Sequence, residues 1–428
     1  MTVMPGTDPE MSAAVELAAR GDTTAVEDLW RRATVAKGPL IGPGPGPDDH
    51  DLLATTFLWR GEADRVVLIG PCDYADLTRT ELARVPGTDL WHLTVLLPRG
   101  MRASYGFSID DTHDAVAGDS ELESVATWQP DPINPDTFVW GCNTDGSTPD
   151  RWTHRRSALY LPPAGPSRWV APRPDVPAGE VSMHRMRAAD TGLDRDHRVW
   201  VYVPVGVPTD GSTCPTVVLT DGDCYVEPML ATPTVLDNLI ADGRIPPSIA
   251  VLVESLDNRA TELNGDPAFL RFLAGELMDW AARHWPVTAD PARTVIGGSS
   301  LGGTCAAFAA LTAPERFGLI LSQSGAFQAP APPAFPEGTI DGYAERPRLP
   351  LRWYLSVGTL EVIPDTRSGA GDTLRGANRR MRDVLAARGY PVDYVEHVGA
   401  HDYLWWRDTL ADGLVSLLGR EATGGGNG

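Results

Sequence analysis

Cysteine is scarce in this chain. The five present, at positions 72, 142, 214, 224 and 305, include no C-x-x-C pair. Their odd number and wide scatter argue against a disulfide framework and lead us to expect free thiols in a reducing compartment. Long apolar runs are missing too: none approaches the roughly 20 residues that a bilayer span needs. The opening residues Met1-Thr2-Val3-Met4-Pro5-Gly6 carry neither the basic nor the apolar stretch of a secretory leader, so a cytoplasmic protein is expected. Positive charge is also short, with 36 Lys+Arg against 57 Asp+Glu and a formal net charge of −21. That field repels nucleic acid and anionic membranes, and neither is expected as a partner. An anionic substrate would have to be met by a local cluster of arginines. No His/Cys/Asp grouping has the spacing of a metal site, so no bound metal or cofactor is expected. There is no internal repeat, and no feature sets an oligomeric state.

What is present points to two domains. A chain of 428 residues, 42% hydrophobic, exceeds one core. Residues 10–36 carry a helical pattern, with Leu17, Ala18, Val26, Leu29 and Trp30 available for an apolar side. Gly38 to Asp51, dense in Gly and Pro, reads as a loop. From Thr55 to about Asp110 short β runs follow, over 56–60, 65–69, 90–96 and 103–108, at the spacing of a β-sandwich. The proline-rich stretch 162–174 is the expected boundary. Beyond about 178, strands over 198–203, 216–220 and 249–253 alternate with helices over 232–241 and 267–284. That alternation predicts a mostly parallel sheet covered on both faces. The expected organisation is an N-terminal extension and Gly/Pro loop over 1–50, a β-sandwich (Ig-like) substrate lid over 51–165, an α/β-hydrolase domain over 166–420, and a disordered tail over 421–428.

The most informative segment is Gly297-Gly298-Ser299-Ser300-Leu301-Gly302-Gly303. It contains G-x-S-x-G centred on Ser300. The β-branched run Arg293-Thr294-Val295-Ile296 precedes it and the alanine-rich run Thr304 to Leu311 follows it. A serine on a tight strand-to-helix turn is the nucleophile elbow of an α/β-hydrolase. A lone G-x-S-x-G arises often by chance; the strand–turn–helix setting is what gives it meaning here. Glycines at 298 and 302 let strand and helix approach, and the Leu301 N–H lies where a helix N-terminus can hold an oxyanion.

The rest of the triad follows by elimination. In these enzymes the order is Ser, acid, His, and only His397 and His401 follow Ser300. His397 sits in an alternating run, 392–398, and reads as an ordinary strand residue. His401 lies just past that strand's carboxyl end, where active sites of open α/β sheets form, and is the expected general base. For the acid, Glu361 follows the strand 353–357 and is preferred; Asp365, four residues on, is the runner-up.

Taken as a set, several segments resemble the enterochelin esterases, cytoplasmic serine hydrolases that open the trilactone of catecholate siderophores. They are Leu219 to Tyr225 (LTDGDCY), Arg259 to Leu263 (RATEL), Gly298 to Gly303, Pro314 to Phe317 (PERF), Leu321 to Gly325 (LSQSG) and Gly399 to Arg407 (GAHDYLWWR). In the amino-terminal half, Phe57 to Arg60, Gly87 to His92 and Asp131 to Pro135 look like that family's β-sandwich. The resemblance implies an esterase for a ferric catecholate siderophore such as enterobactin, with iron present only as part of the substrate. It also implies a backbone N–H of Asp223 or Cys224 as second oxyanion donor. Tyr225 and Trp406 are implied to stack on catechol rings, although family members often carry Trp at the Tyr225 position. Arg259 and Arg407 are implied to meet the anionic oxygens, with an ion pair from Arg259 to Glu262 as the plainer alternative. Two other readings stay open: the same triad acting on another siderophore or secondary-metabolite ester, and a non-enzymatic scaffold built on the sandwich.

Overall fold

The computed structural model describes residues 4–6, 8–44, 46, 50–71, 77–112, 127–140, 154–187, 192–193, 195–208, 210–255, 258–362 and 372–419. The chain divides into two units. One comprises Met1–Pro166 together with Val398–Leu404; the other comprises Ser167–His397 and Trp405–Gly428.

The first unit is organised by the strand Leu52–Arg60, in which Leu52 to Trp59 are all buried. Successive side chains of a strand point to opposite faces, so both faces here must be covered. One face carries Leu58 against Met11, Ala14, Val26, Leu29 and Ala33 of two helices. The other carries Phe57, whose ring meets Tyr105 edge-on at 5.1 Å. Leu52–Arg60 pairs antiparallel with Leu90–Pro98 over nine residues. Leu40–Pro43, Met4–Pro5 and Ala83–Arg84 complete that sheet. A second antiparallel sheet runs Val66–Ile69, Arg102–Ile109, His154–Tyr160, Thr137–Trp140, with Trp128–Gln129 beside Arg102–Ile109. This is the sandwich the sequence predicts, with two corrections. The helical stretch 10–36 is two helices, Pro9–Ala18 and Thr24–Ala36, separated by a turn where Gly21 takes φ 89°. The expected loop 38–51 contains the strand Leu40–Pro43, because its Gly and Pro sit on a sheet edge, where a missing N–H is tolerated.

The second unit holds an eight-stranded sheet in the order Glu180–Arg187, Asp196–Val203, Ile249–Val253, Thr216–Thr220, Thr294–Ser299, Leu319–Gln323, Arg352–Gly358, Val392–His397. Asp196–Val203 runs antiparallel to both of its neighbours, Glu180–Arg187 and Ile249–Val253, and every other neighbouring pair is parallel. Every residue of Thr216–Thr220, Ile249–Val253 and Leu319–Gln323 is buried, so both sheet faces are covered. The helix Leu301–Thr312 is buried from Gly302 to Leu311. That explains its small, apolar composition: a helix wrapped on all sides needs neither a polar stripe nor large side chains.

In this sheet, two strands escape the sequence reading. Leu319–Gln323 ends in Ser-Gln, which hides its apolar character, and Glu180–Arg187 is a charged, half-exposed edge. Cysteine also departs from expectation. Cys214 and Cys305 are free and buried, but Cys224 is disulfide-bonded; Cys72 and Cys142 lie outside the described residues. Among the described residues, no helix is long and apolar enough to cross a membrane.

Candidate active site

Ser300 joins the strand Thr294–Ser299 to the helix Leu301–Thr312 with φ 57° and ψ −121°. A non-glycine residue at that φ is strained by about 1–3 kcal/mol and persists only where its surroundings hold it. They do so from both sides: the Ser300 N–H donates to Gln323 O at 2.9 Å, and the Ala326 N–H donates to Ser300 O at 3.0 Å. The glycines are required by close approach. A Cβ on Gly298 would lie 2.7 Å from Thr220 Oγ1 and 2.8 Å from the Gly302 backbone, and one on Gly303 would lie 2.4 Å from Ser322 Oγ. Ser300 is half-buried and Leu301 opens the helix, so its N–H has no partner within the helix.

Next to the elbow strand, Thr220 leads into a turn. Asp221 is left-handed (φ 54°), and the short helix Gly222–Tyr225 follows. A Cβ on Gly222 would sit 2.3 Å from the Leu252 carbonyl carbon, so glycine lets the turn lie on the neighbouring strand. The Cys224 N–H is taken by Asp221 O at 2.9 Å. Asp223 is buried, and its Oδ1 has no hydrogen-bond partner. Burial first, then the charge of Asp221, pushes its carboxyl up to about 8. Arg259 forks onto Asp221 with two bonds of 2.8 Å. The alternative partner, Glu262, is instead occupied by Arg195 at 3.0 and 2.9 Å and by His197 at 3.2 Å. Burial works against the charge of Glu262, and those two partners outweigh it, holding its carboxyl below the usual range.

Glu361 follows the strand Arg352–Gly358 and is buried. Its Oε1 accepts from Ser324 Oγ at 2.6 Å and from the Gly358 N–H at 2.7 Å. Ser324, itself at φ 50°, also accepts from Trp406 Nε1 at 3.1 Å. One residue back, Gln323 accepts from the Tyr225 hydroxyl at 2.7 Å and donates to Trp406 O at 2.7 Å. A polar hub of Gln323, Ser324 and Glu361 thus sits where strand ends converge. Nothing in the sequence pattern assigns roles to Gln323 or Ser324; the only signal was the LSQSG match. Asp365 lies outside the described residues.

The residues expected to contact substrate fall into two groups. Tyr225 has no exposed surface, Trp406 is 3% exposed, and Arg407, 8% exposed, donates to Met229 O at 2.5 Å. In this conformation Tyr225 offers no ring face for stacking, and Trp406 and Arg407 are buried. Arg259 differs, with its side chain 38% exposed. His397 is buried beside Trp405, ring centroids 4.8 Å apart. His401 is exposed on the loop between the strand Val392–His397 and the helix Tyr403–Leu418. Among the described residues, no group of three or more His, Cys, Asp or Glu could hold a metal ion.

Both parts of the chain match known families. Residues 191–417 match the family described as putative esterase, and residues 54–170 match that described as enterochelin esterase, N-terminal. The chain is 28% identical to the iron(III) enterobactin esterase of Dickeya dadantii, over 97% of this chain and 98% of that protein. Its fold is similar to the ferric enterobactin esterase of Salmonella typhimurium, with TM-score 0.73 and 26% identity over 91% of this chain and 98% of the other. It is also similar to the Shigella flexneri enterobactin esterase solved in the presence of enterobactin, with TM-score 0.70 and 25% identity over 89% and 96%. A strained serine elbow on an α/β sheet, in a chain matched across both domains, makes this protein a carboxylic ester hydrolase that belongs to the putative esterase family.

Proposed function

We propose that this enzyme hydrolyses the trilactone esters of a ferric catecholate siderophore such as enterobactin. The single observation that supports this most is the match along almost the whole chain, amino-terminal half included, to iron(III) enterobactin esterases. In this reading Ser300 Oγ attacks a lactone carbonyl while His401 takes its proton. The Leu301 N–H and the Asp223 N–H receive the oxyanion; Asp223 is preferred to Cys224 because the Cys224 amide is already bonded to Asp221 O. His401 then protonates the departing serine hydroxyl of the substrate. Water, deprotonated by the same imidazole, cleaves the acyl-enzyme to a carboxylate and frees Ser300. Repetition opens the ring and releases dihydroxybenzoyl-serine units, with the iron travelling as cargo.

Glu361 is the acid that orients His401, and the Ser324 and Gly358 donors fix its carboxylate. Arg259 is the substrate-facing cation, its fork on Asp221 tying that contact to the oxyanion turn. Tyr225, Trp406 and Arg407 support the site from behind. A cytoplasmic place of action belongs to this reading, since reductants that free the iron are found there. The Cys224 disulfide runs against it. Thiol titration of protein quenched in whole cells decides the point.

The test is mass spectrometry of products from ferric enterobactin. Linear trimer, dimer and monomer should appear with wild type and vanish with Ser300→Ala. Turnover of a neutral chromogenic ester with no siderophore product would overturn the substrate and keep the esterase.

A further inference from the structure

The segment Val398–Leu404, a loop and the first residues of the helix Tyr403–Leu418, carries His401 and belongs to the first unit. Its ties explain why. Asp402, 5% exposed, accepts from Ser104 N at 2.8 Å and Ser104 Oγ at 2.7 Å through Oδ2, and from Leu404 N at 2.8 Å through Oδ1. The Oδ1 bond is an ordinary helix cap for Tyr403–Leu418. The Oδ2 bonds are not: their donor lies 298 positions away, on the strand Arg102–Ile109.

Behind Ser104 stands Arg156, also buried, whose Nη1 donates to Ser104 Oγ at 3.1 Å. Its guanidinium lies over the rings of Trp140 at 4.1 Å and Trp128 at 4.7 Å, and its Nε donates to His154 Nε2 at 2.9 Å. On the far side of Asp402, the Tyr403 ring meets Trp140 edge-on at 4.5 Å. At the other end of the loop, Val398 O accepts from Arg102 N at 3.4 Å. Both loop ends are therefore tied to one strand, while Gly399, Ala400 and His401 between them lie outside any strand or helix.

We infer that Asp402, Ser104 and Arg156 are positioning residues for the general base: their bonds hold the backbone that carries the His401 imidazole. This rests on the assignment of His401 as base. The chemistry follows from charge and distance. A buried carboxylate with three donors is held rigidly, and Arg156 polarises the Ser104 hydroxyl toward it. His401 is the adjacent residue, so its backbone inherits that rigidity. Misplacement of a catalytic group by about 1 Å costs up to about 10²-fold in rate.

The experiment uses the full-length enzyme with two substrates, the ferric siderophore and p-nitrophenyl acetate, and reads kcat, KM and Tm. Ser104→Ala and Arg156→Gln should lower kcat about tenfold or more on both substrates while KM stays within about twofold. Ser104→Thr, which keeps the hydroxyl, should recover most of the loss. Reaction of Ser300 with a fluorophosphonate, which also needs the base, should slow in step with kcat. If Ser104→Ala does not fold, Arg156→Gln decides. Wild-type kcat in the folded variants, or a loss confined to KM or Tm, would overturn the positioning role. Ser300→Ala and His401→Ala are run alongside: turnover surviving in either would sink the triad assignment instead, so the two failures are distinguishable.

Discussion

The proposed nucleophile and the proposed base are held in opposite ways. Ser300 sits on a turn whose geometry is dictated by its own neighbours, with glycines at 298, 302 and 303 packed against adjacent strands and its N–H on Gln323 O. His401 sits on an irregular loop fastened by Asp402 to Ser104, far upstream in the chain. The elbow stores backbone strain and needs a rigid, buried frame, so its sequence is constrained residue by residue. The loop needs only two anchored ends, and its anchors are ordinary residues: a serine, an aspartate, an arginine between tryptophans. One member of the proposed pair is therefore encoded locally and the other by long-range contact.

The largest expected effect comes from breaking the local side. Ser300→Ala should reduce turnover by at least about 10⁴-fold while leaving the fold intact. Ser300→Gly should be equally inactive yet more stable than Ser300→Ala by about 1 kcal/mol, because φ 57° costs glycine little. Product release followed by chromatography and thermal unfolding read the two; a Gly variant no more stable than Ala would mean that the elbow is unstrained.

Glu361→Gln comes next, with an expected kcat loss of about 10²–10⁴-fold, because the imidazole would lose the carboxylate that sets its tautomer. Asp365→Asn, assayed under the same conditions, should lose less. The reverse order would move the acid to Asp365, and small losses in both would leave a Ser–His pair.

The elbow's frame is tested by Gly298→Ala, whose Cβ would meet Thr220 Oγ1 at 2.7 Å. Overpacking of this kind should destabilise by about 1–3 kcal/mol, measured by denaturant unfolding. A neutral result would show that the strand–helix approach has slack, and would weaken the contrast with the loop.

The smallest effect concerns the turn at Asp221–Asp223. Burial and the neighbouring Asp221 push the folded-state carboxyl of Asp223 up to about 8, far above the usual carboxylate range, so the folded protein holds a proton that the unfolded chain has released. Its stabilising contribution is fully present below about pH 4 and fades as pH rises toward 8. Asp223→Asn keeps the backbone amide and removes the titration. The Tm of this variant relative to wild type should therefore climb by a few degrees between pH 5 and pH 8. A difference flat with pH would show that Asp223 is already ionised.

Much of this was legible beforehand. The strands Thr216–Thr220 and Ile249–Val253 and the helix Thr232–Ala241 match the sequence reading because fully buried parallel strands and amphipathic helices announce themselves in hydrophobic pattern. Leu319–Gln323 does not, since its polar end is buried only by virtue of partners contributed by Tyr225 and Trp406. The same blindness affected side-chain roles. Tyr225, Trp406 and Arg407 have the chemistry of ligand contacts, and their burial in this conformation was not legible in the sequence. Cys224 was indistinguishable from its free counterparts, because disulfide pairing depends on proximity in space and not on spacing in the chain.

By itself, then, the sequence determined the strand–turn–helix around Ser300, the alternation that makes a parallel sheet, and the sandwich before it. Each of these depends on interactions within a few residues or on a repeating pattern. Tertiary structure alone decided that Arg259 pairs with Asp221 and not Glu262, that Gln323, Ser324 and Glu361 form one hub, and that the His401 loop belongs with the strand Arg102–Ile109. Those outcomes turn on which buried polar groups find partners across tens or hundreds of residues, and such pairing has no periodicity to betray it.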